Sequence, residues 1–300
     1  MKIGFIGIGT MGKPMATNLI KAGYQLIVYD VNSKAVAELQ ALGAKSAVSP
    51  MEVAQDSEII LTSLPTPQIV EQVVLGPEGV LAGAKAGTVL VEMSTVTPET
   101  SRKLAKAAET QGVQVLDAPV SGGEAGAKAA TLTIIVGGER EVFEKCLPIL
   151  QALGKKIYHV GKVGAGQAVK LINQLLFGIN VAAVGEALVL GTKAGINPDT
   201  MFEILSESAG NSYALQTRYP NFIAKGNFKP GFAIDLIAKD LGLVINMAKE
   251  NQMVLPLGGL AEQAYRTAQL LGCGGMDISG IITLQEKLAG VEVRATEDKK

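Results

Sequence analysis

The chain reads as an α/β protein with a doubly wound N-terminal domain and an all-α C-terminal domain, joined by a long interdomain helix. Three observations predict this. Short apolar runs alternate with helical patterns from residue 2 to about residue 160, the pattern of a parallel sheet with helices on both faces. Strand signals then nearly vanish, and helical patterns continue along the rest of the chain. Between the halves, residues 161–192 hold a glycine-punctuated entry and then a long run without proline, rich in Leu, Val, Ala and Ile. At ~1.5 Å per residue that run makes a helix of about 40 Å. The expected division is residues 1–162 for the first domain, 163–192 for the long helix and 193–300 for the helical domain.

The first strand, KIGFIG, leads directly into Gly7-Ile8-Gly9-Thr10-Met11-Gly12 and a helical pattern through Lys21. This is GxGxxG with a strand before it and a helix after it. Gly7 permits the tight turn, Gly9 lets a pyrophosphate approach the backbone, and Gly12 allows close packing of helix on strand. The free N–H groups at the helix start, Thr10 and Met11 among them, would bind the phosphates. The alternative for the glycines alone is a turn kept for packing. A second strand over 25–29 ends at Asp30, where a carboxylate can accept both ribose hydroxyls of an adenosine. The same carboxylate would repel a 2′-phosphate, and no arginine follows in Val31-Asn32-Ser33. The pattern is Rossmann-type, and NAD(H) is favoured over NADP(H) as the cofactor.

Further strand–helix units follow, with strands over 44–47, 58–63, 88–92 and 114–117 and helices over 50–55, 67–74 and 98–111. Ligands of such sheets lie outside the carboxyl ends of the strands, so Leu64-Pro65 and Thr95 should line the nicotinamide half of the cofactor. For Thr95 and Thr97 the alternative is an N-cap of the next helix. After the strand at 114–117 comes Ala118-Pro119-Val120-Ser121-Gly122-Gly123, in which a hydroxyl and successive unobstructed N–H groups suit a carboxylate. A structural Gly-Gly turn is the alternative there. Strands over 131–137 and 156–160 flank a helix over 139–153. His159, the only histidine, has no relay partner nearby and is given no catalytic role.

Near the start of the long helix, Lys170, Asn173 and Gln174 stand at i, i+3 and i+4 and share one face. In isolation they could be a snorkelling lysine and two structural amides. Asn180 and Glu186 interrupt the apolar run, which argues against a membrane span. The breadth of the run predicts burial on several sides, and Gly178, Ala182, Ala183 and Gly185 would allow a close subunit contact, giving a homodimer or homotetramer. Helices over 198–208, 211–223, 234–250, 256–271 and 278–288 follow, with Lys239-Asp240 on a face that is ordinarily solvated, and residues 291–300 read as a frayed polar tail.

Composition bounds the partners. With 48% hydrophobic residues, 18% charged residues and a net charge of −1, the chain offers no electrostatic footprint for nucleic acid or an anionic membrane. A small-molecule substrate is expected instead. Cys146 and Cys273 have no spacing that suggests a disulfide framework or a metal site. The N-terminal apolar run is too short and too glycine-rich for a signal peptide, so a cytoplasmic protein is expected.

Taken together, GFIGIGTMGKPMATNL at the start, DAPVSGG at 117–123, GAGQAVKLINQ at 164–174 and FKPGFAIDLIAKDL at 228–241 resemble the four signature regions of the β-hydroxyacid dehydrogenase family, in order and over essentially the whole chain. The resemblance implies that Gly7, Gly9, Gly12, Asp30, Leu64, Pro65, Thr95 and Lys239 hold the cofactor, that Ser121, Gly122 and Gly123 hold the substrate carboxylate, that Lys170 is the catalytic lysine and that Asn173 orients the substrate. Many members carry two consecutive asparagines, whereas Gln174 follows Asn173 here. In this, and in NFKPGFAIDL and EKLAGVEV, the chain is similar to the semialdehyde reductase branch. That similarity implies reduction of tartronate semialdehyde to D-glycerate, with 3-hydroxyisobutyrate and succinic semialdehyde chemistry as alternatives within the family. A non-catalytic NAD(H)-sensing protein is the alternative of a different class. The residues support the enzyme independently, because reducing an aldehyde leaves an alkoxide that needs a proton and a lysine ammonium can supply it.

Overall fold

The structure is a computed structural model that describes residues 1–295. The chain divides into two compact units, Met1–Lys170 and Leu171–Lys300, the division falling inside the long helix.

In the first unit, β1 (Lys2–Ile6), α1 (Gly12–Lys21), β2 (Gln25–Tyr29), α2 (Ser33–Gln40), β3 (Lys45–Ser46), α3 (Pro50–Gln55), β4 (Ile59–Thr62), α4 (Pro67–Leu75), α5 (Val80–Gly83), β5 (Val89–Glu92), α6 (Pro98–Glu109) and β6 (Gln114–Asp117) follow one another. β1 pairs with β2 and β4, β2 with β3, β4 with β5, and β5 with β6, all parallel. Side chains alternate between two apolar layers, as a strand period of two requires. Ile3, Phe5, Leu26, Val28, Ile59, Leu61, Val89 and Val91 enter one core, while Ile6, Ile27, Ile60 and Leu90 enter the other. The helix starts are capped locally. Asn32, Ser49, Thr66 and Thr97 each accept N–H bonds from the first turn that follows, and Pro stands at the first positions of α3, α4 and α6. Thr97 thus caps α6.

Beyond β6 come β7 (Val120–Ser121), α7 (Gly123–Lys128), β8 (Leu132–Gly137), α8 (Arg140–Gln151), β9 (Gly154–Gly161) and α9 (Ala165–Lys193). Here the pairing departs from the parallel pattern. β8 runs antiparallel to both β6 and β7, and only β9 returns parallel to β8. The link from β6 to β8 holds only the short β7 and α7, too little for a full crossover helix. α9 begins at Ala165 rather than at residue 163, because Gly164 takes a positive φ of 93°, outside helical space for an L side chain. The short α5 was not anticipated.

The second unit holds α10 (Pro198–Ser206), α11 (Tyr213–Arg218), a wide π-type turn (Tyr219–Ile223), α12 (Ile234–Glu250), α13 (Pro256–Leu270), a 3₁₀ turn (Ile278–Ile281) and α14 (Ile282–Ala289). The expected helix over 211–223 is therefore interrupted. Pro220 lacks the N–H that an α-helix would use, and Ala224 N reaches back to Tyr219 O at 2.9 Å. The C-terminal part of α9 packs here. Val181 joins Ile237, Leu241 and Tyr265 in one core, Leu188 and Val189 join Met201, Leu215 and Tyr219 in another, and Leu171 packs with Leu243 and Val244.

Within this unit Leu176, Ala183, Ala187 and Leu190 lie exposed along one face of α9, so its own chain covers only part of the circumference. α9 is the one helix among the described residues that is long and apolar enough to cross a membrane by length and composition, but its other face belongs to the unit's cores. The polar tail is also more ordered than expected up to residue 295. Val293 is fully buried, its N–H donates to Glu286 Oε1 at 2.8 Å, and Arg294 pairs with Glu286. The rest of the tail, 296–300, lies outside the described residues.

Tyr265 is buried and its hydroxyl donates to Gly178 O on α9 at 3.1 Å. Tyr265→Phe should lower stability by about 1 kcal/mol, the net value of one such bond, measured by urea unfolding.

Candidate active site

At the carboxyl end of β1 the chain turns sharply. Gly7 has φ 87°, and a Cβ there would collide with Ser63 O. A Cβ on Gly12 would collide with Gly7 O and press the Phe5 ring at 3.1 Å, whereas one on Gly9 would meet nothing within 4 Å. The three glycines therefore differ in kind: two permit close packing, and Gly9 with Thr10 faces open space. No side chain caps the start of α1 at Met11, and Lys13 N donates to Gly9 O at 3.0 Å, so this helix end carries no side-chain block over its N–H groups. Asp30 sits after β2 with Oδ2 accepting Ile8 N at 2.7 Å and Oδ1 accepting Asn32 N at 2.7 Å. Those two bonds lock the carboxylate beside the glycine turn.

The loops after β4 and β5 are tied together. Leu64 N donates to Ser94 Oγ at 2.7 Å, and Pro65 lies exposed next to it. Ser94 N donates to Glu92 Oε1 at 2.5 Å, while Thr62 Oγ1 donates to Glu92 Oε2 at 2.6 Å. Thr95 is half-buried between Ser94 and the buried Val96. After β6, Asp117 accepts Gly164 N at 2.7 Å and Gln167 N at 2.8 Å. Ser121 follows in β7, and Gly122 and Gly123 are exposed with φ of 130° and 61°. Lys170 is only 7% exposed, and its Nζ donates to Val120 O at 2.8 Å. The first unit thus brings the Lys170 ammonium to the residue immediately before Ser121.

In the second unit Asn173 is exposed, and its Nδ2 donates to Gln174 Oε1 at 3.0 Å. Gln174 Nε2 in turn donates to Asp240 Oδ2 at 2.7 Å. Asp240 is buried and ion-paired with Lys239 at 3.1 Å, so the bland alternative of a solvated Lys239-Asp240 pair does not hold. Gln174 is a buried amide holding a buried carboxylate.

Other titratable groups are structural. His159 shares a hydrogen bond with Gly138 O at 2.7 Å and stacks on Phe143. Burial pushes the Cys146 thiol up to about 11, an inert state, while Cys273 is half-buried. Among the described residues no group of His, Cys, Asp and Glu could hold a metal ion.

Comparison with known proteins bears on the same elements. One family model, the NAD binding domain of 6-phosphogluconate dehydrogenase, matches residues 2–161, and another, described as NAD-binding of NADP-dependent 3-hydroxyisobutyrate dehydrogenase, matches residues 164–285. The 2-(hydroxymethyl)glutarate dehydrogenase of Eubacterium barkeri is 49% identical over 98% of this chain and 97% of its own. The chain belongs to the β-hydroxyacid dehydrogenase family. The 3-hydroxyisobutyrate dehydrogenase of Pseudomonas aeruginosa is 42% identical, covering 88% of this chain and 90% of its own. The solved 3-hydroxyisobutyrate dehydrogenase of Mycobacterium tuberculosis with L-serine superposes with a TM-score of 0.89 at 34% identity, covering 95% of this chain and 98% of its own.

A β-hydroxyacid dehydrogenase of this kind takes an NAD-type cofactor, and the residues present fit one. The open side of Gly9, the uncapped α1 terminus and the locked Asp30 offer phosphates a donor set and a ribose an acceptor.

Reading the sequence did not single out Glu92, Asp117 or Gln167 as functional. All three are fully buried. Asp117 stood inside the DAPVSGG motif, a signal that could have prompted the question; Glu92 ends an apolar strand and carries no motif. Burial raises the pKa of Glu92 and of Asp117, and hydrogen bonds to Ser94 and Thr62 and to Gly164 and Gln167 offset part of that. A carboxyl whose folded pKa lies above its unfolded value holds its proton more tightly when folded. Stability from it is complete below the unfolded pKa and is lost as pH rises through the folded one. Glu92→Gln removes this loss for one group. Across a pH series of urea unfolding curves, the stability of the variant relative to the parent should increase as pH rises above 4.5, the ordinary value for the group.

Proposed function

We propose that this β-hydroxyacid dehydrogenase interconverts a short carboxylic semialdehyde and the corresponding hydroxymethyl acid, with Lys170 as proton donor. The observation that carries the reading is the buried Lys170 ammonium, held 2.8 Å from Val120 O at the entrance to Ser121-Gly122-Gly123. An ammonium there is restrained in orientation yet lies next to unobstructed backbone N–H groups. Ser121 and the Gly122 and Gly123 amides bind the substrate carboxylate. Lys170 gives a proton to the aldehyde oxygen as the carbon becomes tetrahedral, and in the oxidising direction the neutral amine takes it back. Asn173, one helical turn along α9, orients the reacting oxygen. NADH supplies the hydride when bound. Gly7, Gly9, Thr10, Met11, Gly12, Asp30, Leu64, Pro65, Thr95 and Lys239 would hold it, and Asp30 favours NADH over NADPH. A sensor without turnover has no use for a buried proton donor beside a carboxylate nest.

The substituent next to the carboxylate is the finer question. The similarity of NFKPGFAIDL and EKLAGVEV to the semialdehyde reductase branch supports a hydroxyl there, giving tartronate semialdehyde and D-glycerate. The 49% identity to a 2-(hydroxymethyl)glutarate dehydrogenase favours a second reading, a carboxyethyl group. Exposed Leu176 and Leu190 on α9 support a homodimer or homotetramer.

Two measurements test this. Lys170→Ala should lower turnover about 10²- to 10⁴-fold with the fold intact by circular dichroism; near-parental turnover would remove Lys170 from the chemistry. Initial rates with tartronate, methylmalonate and succinic semialdehydes, and with 2-(hydroxymethyl)glutarate in the oxidising direction, should show one substrate leading in kcat/KM, with NADH and NAD⁺ preferred over their phosphorylated forms. Inactivity on all of them would remove the substrate class, and a preference for NADPH would remove the Asp30 argument.

A further inference from the structure

We infer that Asp117 and Gln167 are positioning residues: Asp117 sets where the Lys170 ammonium lies, and Gln167 sets the loop after β5. The inference rests on Lys170 as the proton donor. Burying a carboxylate and an amide is costly unless their hydrogen bonds are made, and here those bonds converge on one element, the first turns of α9.

Asp117 grips the helix start with both oxygens, Oδ1 to Gly164 N at 2.7 Å and Oδ2 to Gln167 N at 2.8 Å. This terminus has no acidic residue of its own in the first turn, so Asp117 is the anion that its dipole and open N–H groups call for. The fit is close. A Cβ on Gly137 would strike Asp117 Oδ1, and one on Gly166 would come within 2.8 Å of Oδ2, so two glycines keep open the slot through which the carboxylate reaches the helix. Three residues after Asp117, Val120 O receives Lys170 Nζ at 2.8 Å. Residues 117–120 therefore hold α9 at two points less than one turn apart, Gln167 N and the Lys170 side chain. Rotation or sliding of the helix would carry the ammonium away from Ser121, and the Asp117 cap resists both.

Gln167 faces the other way. Its Nε2 donates to Ser94 O at 2.8 Å and its Oε1 accepts Val96 N at 3.2 Å. The amide thus brackets Thr95 from both sides. Ser94 Oγ passes the restraint on to Leu64 N at 2.7 Å, so both loops assigned to the nicotinamide are referenced to the helix that carries Lys170.

The two residues should give different kinetic signatures. Asp117→Asn keeps the shape but turns an NH₂ toward one of the two helix amides. It should lower kcat about 10- to 100-fold, as small misplacements of a reacting group do, and raise the isotope effect on kcat with 4-deuterated NADH. NADH affinity measured by isothermal titration calorimetry should stay within about twofold. Gln167→Leu removes the loop bracket and should weaken NADH binding about tenfold in the same titration, the loss of about 1.4 kcal/mol, with kcat reduced less than about threefold. If both variants merely unfold more easily, with parental kcat, NADH affinity and isotope effect per folded molecule, or if both lose kcat and affinity in equal proportion, the inference fails. Should Asp117→Asn not fold, Gln167→Leu decides: unchanged NADH affinity overturns the inference. Lys170→Ala in the same series separates the two readings. Near-parental turnover there overturns the function assigned to Lys170, whereas an inactive Lys170→Ala beside Asp117→Asn and Gln167→Leu variants of parental kcat and NADH affinity overturns only the positioning.

Discussion

Parallel pairing in strict register makes several strands end on one row. Tyr29, Ile6, Thr62, Glu92 and Asp117 are register partners across β2, β1, β4, β5 and β6, and this rung is the last before each chain leaves the sheet. Backbone bonds continue one step past it, from Gly7 N to Tyr29 O, Ser63 N to Ile6 O, Met93 N to Thr62 O and Ala118 N to Glu92 O. The groups assigned to cofactor and substrate in the first unit stand within a few residues of that rung. A slip of one residue in any pair would turn a core side chain outward and take its loop out of line.

The rung is also where the sheet stops being apolar. One step earlier the same strands carry Phe5, Leu61, Val91 and Leu116, all in one core. At the rung stand Thr62, Glu92 and Asp117, buried and polar. An apolar sheet edge would leave the N–H groups of the following loops and of the α9 terminus without acceptors in a place water does not reach. Glu92 answers Ser94 N and Thr62, and Asp117 answers Gly164 and Gln167. The desolvation that raises both pKa values is thus offset by bonds that specify loop geometry.

The second unit has the same logic at lower density. Asp277, fully buried, accepts from Arg218, Phe232 N, Ser279 N and Ser279 Oγ, and so fastens the FKPGF segment to the turn that starts α14. The Arg218 guanidinium lies over the Phe177 and Phe222 rings at 5.3 and 5.1 Å. Gln174 and Asp240 do the equivalent for α9 and α12.

Local patterns were enough to determine most of the order of strands and helices, the glycine turn and the position of Asp30 after β2, because periodicity and turn chemistry act over a few neighbours. The starts of α3 and α13 follow directly from Pro50 and Pro256. Tertiary structure alone decided the antiparallel return of β8, the burial of Asp240 and the open face of α9, since each depends on what packs against the segment. It also decided that Asp117 meets the start of the helix that carries Gln167 and Lys170. Fifty residues separate Asp117 from Gln167, and no local preference records a bond between groups so far apart along the chain; only closure of the sheet and the slot kept by Gly137 and Gly166 brings a carboxylate to the start of that helix.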